Sequence, residues 1–308
     1  MRILILADME GISGIEESSG SEESNILMTT EVLSVVERLN TFGLTDITIC
    51  DAHDRGENIR REAITSDETK VISQVWNVDF TNEYDVAFLI GFHGMAGSDC
   101  LYPHTLREDI VKIESNGIEI GEVGIFIRWL RENKIPTVFV SGDKQATKEA
   151  LIEEPKCVTY TTSCAGNLLD GFFETKNELV QRVDSYANHK MTALIAKEEL
   201  RLFVENKDAL TYIRAKDKVR DGYLRFESYS ELLGSMHNIC EDLNNAMCEI
   251  IRKNSEFTKV LRNNFGSMSI HSCNDSLLLH LLSKSVYTLE EPDRKYIMKT
   301  LRSILEKT

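Results

Sequence analysis

Met1-Arg2-Ile3-Leu4-Ile5-Leu6-Ala7-Asp8-Met9-Glu10-Gly11 opens the chain. The apolar run from Ile3 to Ala7 has no polar face, which suits a strand buried on both sides in a parallel sheet. Two carboxylates follow at once. Residues two apart on an extended segment project to one side, so Asp8 and Glu10 can face a common point. Gly11 then lets the chain turn away. The run is too short for the apolar region of a signal peptide.

Working outward, strand-like and helix-like stretches alternate. From about Asn25 to Asn40, the residues Ile26, Leu27, Leu33, Val36 and Leu39 recur at helical spacing, and Gly43 is a C-cap signal. Asp46 to Cys50 and Asp85 to Ile90 read as the next strands. Gly121 to Asn133 reads as a helix, Thr137 to Val140 as a strand, Ala146 to Glu153 as a helix and Cys157 to Thr162 as a strand. This alternation predicts an α/β fold with a mostly parallel sheet flanked by helices. After about Ala165 the pattern changes to a helix-rich C-terminal region. A helical stretch runs towards Glu205, and Tyr223 to Glu227 is one isolated strand candidate. A stripe follows from Leu232 to Ile250, and a last amphipathic helix from about Asp293 to Lys307. The expected division is residues 1–165, carrying the chemistry, and 166–308, shaping the pocket and the oligomer.

The 308 residues are 42% hydrophobic and 28% charged, ordinary for a globular protein. A net charge of −15 argues against nucleic acid and against an anionic membrane surface. No apolar run is long enough to span a bilayer. Seven cysteines, with no C-x-x-C pair, are expected to be reduced thiols, and the expected compartment is the cytoplasm.

The informative pattern is where acids and histidines fall. Asp8 and Glu10 follow the first strand, Asp51-Ala52-His53-Asp54 the second, and Gly91-Phe92-His93-Gly94 a third. In an open α/β sheet, ligands bind outside the carboxyl ends of the strands. Three strand ends thus deliver Asp8, Glu10, His53 and His93 to one edge. Singly, each is more simply a loop acid or a structural histidine; together they point to a metal. Mixed imidazole and carboxylate ligands suit zinc, with manganese or cobalt as alternatives, and Asp8 is the candidate bridge between two ions.

Asp8-Met9-Glu10-Gly11-Ile12-Ser13-Gly14, Asp51-Ala52-His53, Gly91-Phe92-His93, His104 and Gly121-Glu122-Val123-Gly124 resemble, in order, the motifs of the D-aminopeptidases of peptidase family M55, the DppA type. The resemblance covers roughly residues 1–165. It implies a dinuclear zinc centre, two Zn2+ per chain, held by Asp8, Glu10, His53, His93 and Glu122, with His104 as the catalytic residue. It implies hydrolysis of short peptides with an N-terminal D-amino acid, and a homo-oligomer. Read by itself, Glu122 is an acid at a helix start, favoured there by the macrodipole. Ala7 stands where a serine is usual, the Gly94–Gly97 loop lacks polar residues, and the C-terminal region departs from the family pattern.

Two other readings compete. Dinuclear sites also hydrolyse phosphoesters. A non-enzymatic oligomeric scaffold with a structural metal is the third reading, against which the carboxylate-rich, cysteine-free ligand set argues. Asp51 and Asp54 are candidates to orient His53, and Ser141-Gly142-Asp143 is a candidate pocket lining.

Overall fold

The computed structural model describes residues 1–15, 21–162 and 198–253. In chain order the elements are β1 (Arg2–Ala7), α1 (Glu22–Asn40), β2 (Asp46–Asp51), β3 (Thr69–Ser73), β4 (Val86–Phe92), β5 (Ile110–Ser115) and β6 (Ile118–Ile120). Then come α2 (Glu122–Glu132), β7 (Thr137–Gly142), α3 (Lys144–Glu153), β8 (Val158–Thr161), β9 (Leu200–Val204), β10 (Val219–Arg220), β11 (Tyr223–Phe226) and α4 (Tyr229–Lys253). The chain divides into two compact units. One is Met1–Leu200 with Phe226–Gly234, the other Arg201–Arg225 with Ser235–Thr308.

The first unit carries a six-stranded sheet in the order β3-β2-β1-β4-β7-β8, with every pairing parallel. This is the α/β architecture expected, and β1 sits inside the sheet as its apolar run requires. Ile3, Ile5 and Ala7 pack with Met28, Val32, Val35, Val36 and Leu39 of α1 and with Ile47, Ile49, Val86, Phe88 and Ile90. Leu4 and Leu6, on the other face, are equally buried. Complete burial of each such side chain contributes about 1.5–3 kcal/mol. Chain order reverses across the β1–β4 boundary, because β2 and β3 lie on one side of β1 and the later strands on the other. A crevice at the carboxyl ends of such a switch point is where doubly wound sheets bind ligands.

Helix starts follow local chemistry. Ser21 accepts a hydrogen bond from Ser24 N and begins α1, and Asp143 accepts from Gln145 N and Ala146 N and begins α3. The buried face of α1 is Met28, Glu31, Val32, Val35, Val36 and Leu39. It is rotated from the stripe read off the sequence, since Ile26 is exposed and Leu33 only partly covered. Among the buried positions is an acid, Glu31.

Three further departures are physical. β3 is a partly covered strand of mixed polarity, so no apolar run announces it. β5 and β6 pair antiparallel across Asn116-Gly117, both with positive φ, as a tight hairpin turn requires. Leu200–Val204, expected within a helical stretch, is a strand with alternating burial. In the C-terminal part Tyr223–Phe226 is not isolated, because it pairs antiparallel with Val219–Arg220. Within the second unit Arg214 is tied to Asp242 by its backbone N–H at 2.8 Å and its Nε at 2.5 Å. The stripe Leu232, Leu233, Met236, Ile239 and Leu243 is buried within a single chain. The helix expected at Asp293–Lys307 lies outside the described residues. Among those described, no helix is long and apolar enough to cross a membrane.

Candidate metal centre

The carboxyl edge of the sheet is knitted together by backbone. Asp8 N–H donates to Ile90 O, Gly11 N–H to Gly91 O, Ala52 N–H to Ala7 O and Asp143 N–H to Phe92 O, all at 2.8–2.9 Å. The turn after β1 therefore lies against the carboxyl end of β4. A Cβ on Gly11 would fall 1.8 Å from Phe92 O, so only glycine permits that approach. Met9 is fully buried between the two acids.

Four strand-end residues and two later ones meet there. His53 Nδ1 lies 3.5 Å from Asp8 Oδ1 and 3.2 Å from Glu10 Oε2. His93 Nε2 lies 3.5 Å from Asp8 Oδ2 and 3.4 Å from Glu122 Oε1. His104 Nε2 lies 3.9 Å from Glu10 Oε1 and 3.8 Å from Glu122 Oε1. The structure thus brings together all six residues singled out from the sequence: Asp8, Glu10, His53, His93, His104 and Glu122.

Their polar atoms converge on shared space. Asp8 Oδ2, Glu10 Oε2 and His93 Nε2 are buried without a hydrogen-bond partner, a costly state for polar atoms unless something else satisfies them. Three groups have ligand atoms within 4.8 Å of one another: Asp8, His93 and Glu122; Asp8, Glu10 and His53; and Glu10, His93 and His104. The first two share Asp8. A donor set of carboxylates and imidazoles with orphaned buried atoms fits divalent zinc.

The imidazoles are oriented from behind. His93 Nδ1 is 3.0 Å from Gly94 O, so Nδ1–H donates to that carbonyl and Nε2 is the nitrogen turned to the cluster. His104 Nδ1 makes the equivalent contact with Tyr102 O at 3.2 Å. Glu122, the first residue of α2, accepts from Leu106 N–H at 2.7 Å and so ties that helix to the His104 loop.

Charge follows proximity. Burial, the largest influence on Asp8, favours its neutral form. The His53 hydrogen bond and the charges of His93, His53 and His104 outweigh it and hold the carboxyl below its usual range. Burial likewise works against charging His53 and His93. Asp8 and Glu10 raise His53 nonetheless, and Glu122, Asp8 and Glu10 raise His93.

The remaining sequence candidates are placed differently. Asp51, fully buried, reaches the loop and not the His53 ring: it accepts from Asn58 N at 2.6 Å, Asn58 Nδ2 at 3.0 Å and Ile59 N at 2.8 Å. Asn58 Nδ2 in turn donates to His53 O at 2.8 Å. Asp54 is an exposed loop acid. Ser141 is wholly buried and supports the carboxyl end of β4 rather than lining a pocket. Its Oγ accepts from Gly91 N at 3.3 Å and donates to Glu31 Oε1 at 3.2 Å. Asp143 accepts from Gly94 N at 2.8 Å, beside His93. Sequence reasoning missed Glu31, which also accepts from Ser13 N at 3.1 Å. Its signal was an acid on the apolar face of a helix.

The Peptidase_M55 family model, described as D-aminopeptidase, matches residues 1–210. A D-aminopeptidase of Bacillus subtilis (strain 168) is 26% identical over 163 residues, 49% of this chain and 59% of that protein. This chain thus spans less than two thirds of the curated relative it matches. A solved structure is described as Zn-dependent D-aminopeptidase DppA from Bacillus subtilis, a self-compartmentalizing protease. It superposes with a TM-score of 0.65 at 19% identity, over 79% of this chain and 98% of that one, and shares the fold. With the family model covering residues 1–210 of 308, the chain belongs to the M55 peptidase family.

Proposed function

We propose that this protein is a zinc-dependent aminopeptidase that hydrolyses short peptides carrying an N-terminal D-amino acid. One observation carries the reading. Two triads of potential ligands, Asp8-Glu10-His53 and Asp8-His93-Glu122, share a single carboxylate at the switch point of the sheet. Triads joined through one carboxylate would suit two neighbouring ions, with Asp8 common to both sets of ligands. The substrate class rests on family membership and on the D-aminopeptidase description of the relatives.

Zinc bound there supplies Lewis acidity, which activates water and polarises the scissile carbonyl. The chain's own groups do the rest. Asp8, Glu10 and Glu122 balance the cations' charge in a buried site. Tyr102 O holds His104 through Nδ1–H, so His104 in its imidazolium form presents Nε2–H to the reacting bond. There it donates a proton to the leaving nitrogen, with Glu10 Oε1 and Glu122 Oε1 lying 3.9 and 3.8 Å from Nε2. Residues 1–165 carry the chemistry in this reading, while residues 166–308 shape the pocket and a homo-oligomeric assembly. The matched structure's description as self-compartmentalizing supports the assembly.

The test is a panel of D-aminoacyl and L-aminoacyl dipeptides, with a generic phosphodiester alongside, assayed on zinc-loaded protein. Turnover of the D-aminoacyl substrates is expected. Turnover confined to the phosphodiester would transfer the site to ester chemistry, and turnover of none would leave a structural metal.

A further inference from the structure

Helix α2 begins without a side-chain cap of its own. Its N-cap residue is Gly121, which offers no oxygen to the first turn. The four leading N–H groups of a helix need acceptors, and a carboxylate also suits the positive end of the dipole. Here the carboxylate comes from another helix. Glu149, on α3, accepts from Gly121 N–H through Oε1 at 2.6 Å and faces the backbone N–H of Gly124; burial, with Glu153 and Glu122 nearby, nonetheless holds its carboxyl up at about 7. Those are the N-cap and N3 positions, the two donors that a capping box satisfies from within its own helix.

The space around Glu149 is cut to the same purpose. A Cβ on Gly121 would lie 2.4 Å from Glu149 Oε2, and one on Gly124 would lie 2.7 Å from Glu149 Oε1. The two glycines that flank Glu122 and Val123 thus leave room for this carboxyl group, as well as for Met95 beside Gly121 and Ile120 beside Gly124. Glu122 stands between them as the first helical residue, already bonded to Leu106 N–H and turned towards His93.

We propose that Glu149 is a positioning residue for Glu122. By capping α2 from α3, it fixes the backbone from which Glu122 reaches the metal cluster. The proposal rests on the zinc reading above. It gives Gly121-Glu122-Val123-Gly124 a physical meaning: one ligand, set between two clearances for the residue that holds it.

The test measures zinc affinity by chelator competition, and thermal unfolding of metal-free and zinc-loaded protein, for wild type, Glu149→Ala and Glu149→Gln. Removal of a group that orients a ligand is expected to weaken metal binding about 10–100-fold. Alanine should show that loss in one zinc site, with a smaller zinc-induced rise in Tm. Glutamine, with the same shape and one acceptor for Gly121, should restore most of it. An alanine variant less stable without metal but unchanged in zinc affinity would overturn the proposal, since a purely structural cap predicts that result. Should alanine not fold, Glu149→Asp withdraws the carboxylate by one methylene and gives the same two outcomes. Wild-type protein that binds no zinc would overturn the metal reading itself. Wild-type protein that binds zinc, beside variants of unchanged affinity, overturns only the role of Glu149.

Discussion

His93 and His104 stack with ring centroids 4.1 Å apart and planes inclined by 20°. Each ring presents Nδ1 to a backbone carbonyl and Nε2 to the carboxylates. The pair is unequal in burial: the His93 side chain is 2% exposed and that of His104 is 19%. In the proposed mechanism the buried ring ligates and the more open one meets substrate. His104→Ala is therefore expected to retain two zinc ions per chain while losing about 10²–10⁴-fold in kcat, the usual contribution of a general acid or base. Metal analysis beside single-turnover kinetics checks this. A variant with full turnover removes His104 from the chemistry.

Asp8 belongs to two of the triads and Glu122 to one. Asp8→Ala should accordingly lose both zinc ions, and Glu122→Ala only one, leaving Asp8, Glu10 and His53 intact. Zinc per chain after dialysis decides it. Equal losses from the two variants would contradict a bridging Asp8.

Zinc must displace protons. Their carboxylate neighbours hold His53 and His93 protonated above the ordinary imidazole value of 6.5. Asp8 is held below its ordinary 3.8. For the metal-free chain the signs follow. The raised histidines contribute stability that is complete below pH 6.5 and lost as pH rises through their folded values. The depressed Asp8 contributes stability present above pH 3.8 and lost as pH falls through its folded value. Metal-free protein should be most stable between those limits, whereas zinc affinity should rise with pH. Calorimetry at pH 7 in buffers of different ionisation heat should show net proton release on zinc binding. No release would mean that the histidines are already neutral.

Asp51 satisfies three donors of the loop that carries His53. Asp51→Ala leaves the buried Asn58 and Ile59 N–H groups unpaired, a loss on the order of 3 kcal/mol. Urea unfolding of metal-free protein measures it. Zinc affinity should fall as well, because Asn58 also holds the His53 carbonyl.

How much of this was legible in the sequence depended on the range of the interactions. β1 was readable because five apolar residues in succession admit little else, and Asp8, Glu10, His53 and His93 followed from their places just beyond strands. Glu122 was not readable from local pattern, since an acid at a helix start is favoured whatever its role. His104, in an irregular loop, carried no signal except through family resemblance. The β5–β6 hairpin did carry one, the Asn116-Gly117 pair between strands, although the flanking residues lack a clean alternation. Thr69–Ser73 carried none, because a partly covered strand needs no apolar run. Glu149 and Glu31 lie furthest from reach. Their roles depend on backbone groups that only the folded chain brings beside them.

In the proposed centre Asp8 belongs to both metal sites. The most direct measurement is an anomalous difference map at the zinc edge from crystals of zinc-loaded protein. Two peaks are expected, one among Asp8, Glu10 and His53 and the other among Asp8, His93 and Glu122. A single peak, or none within reach of Asp8, would contradict that centre.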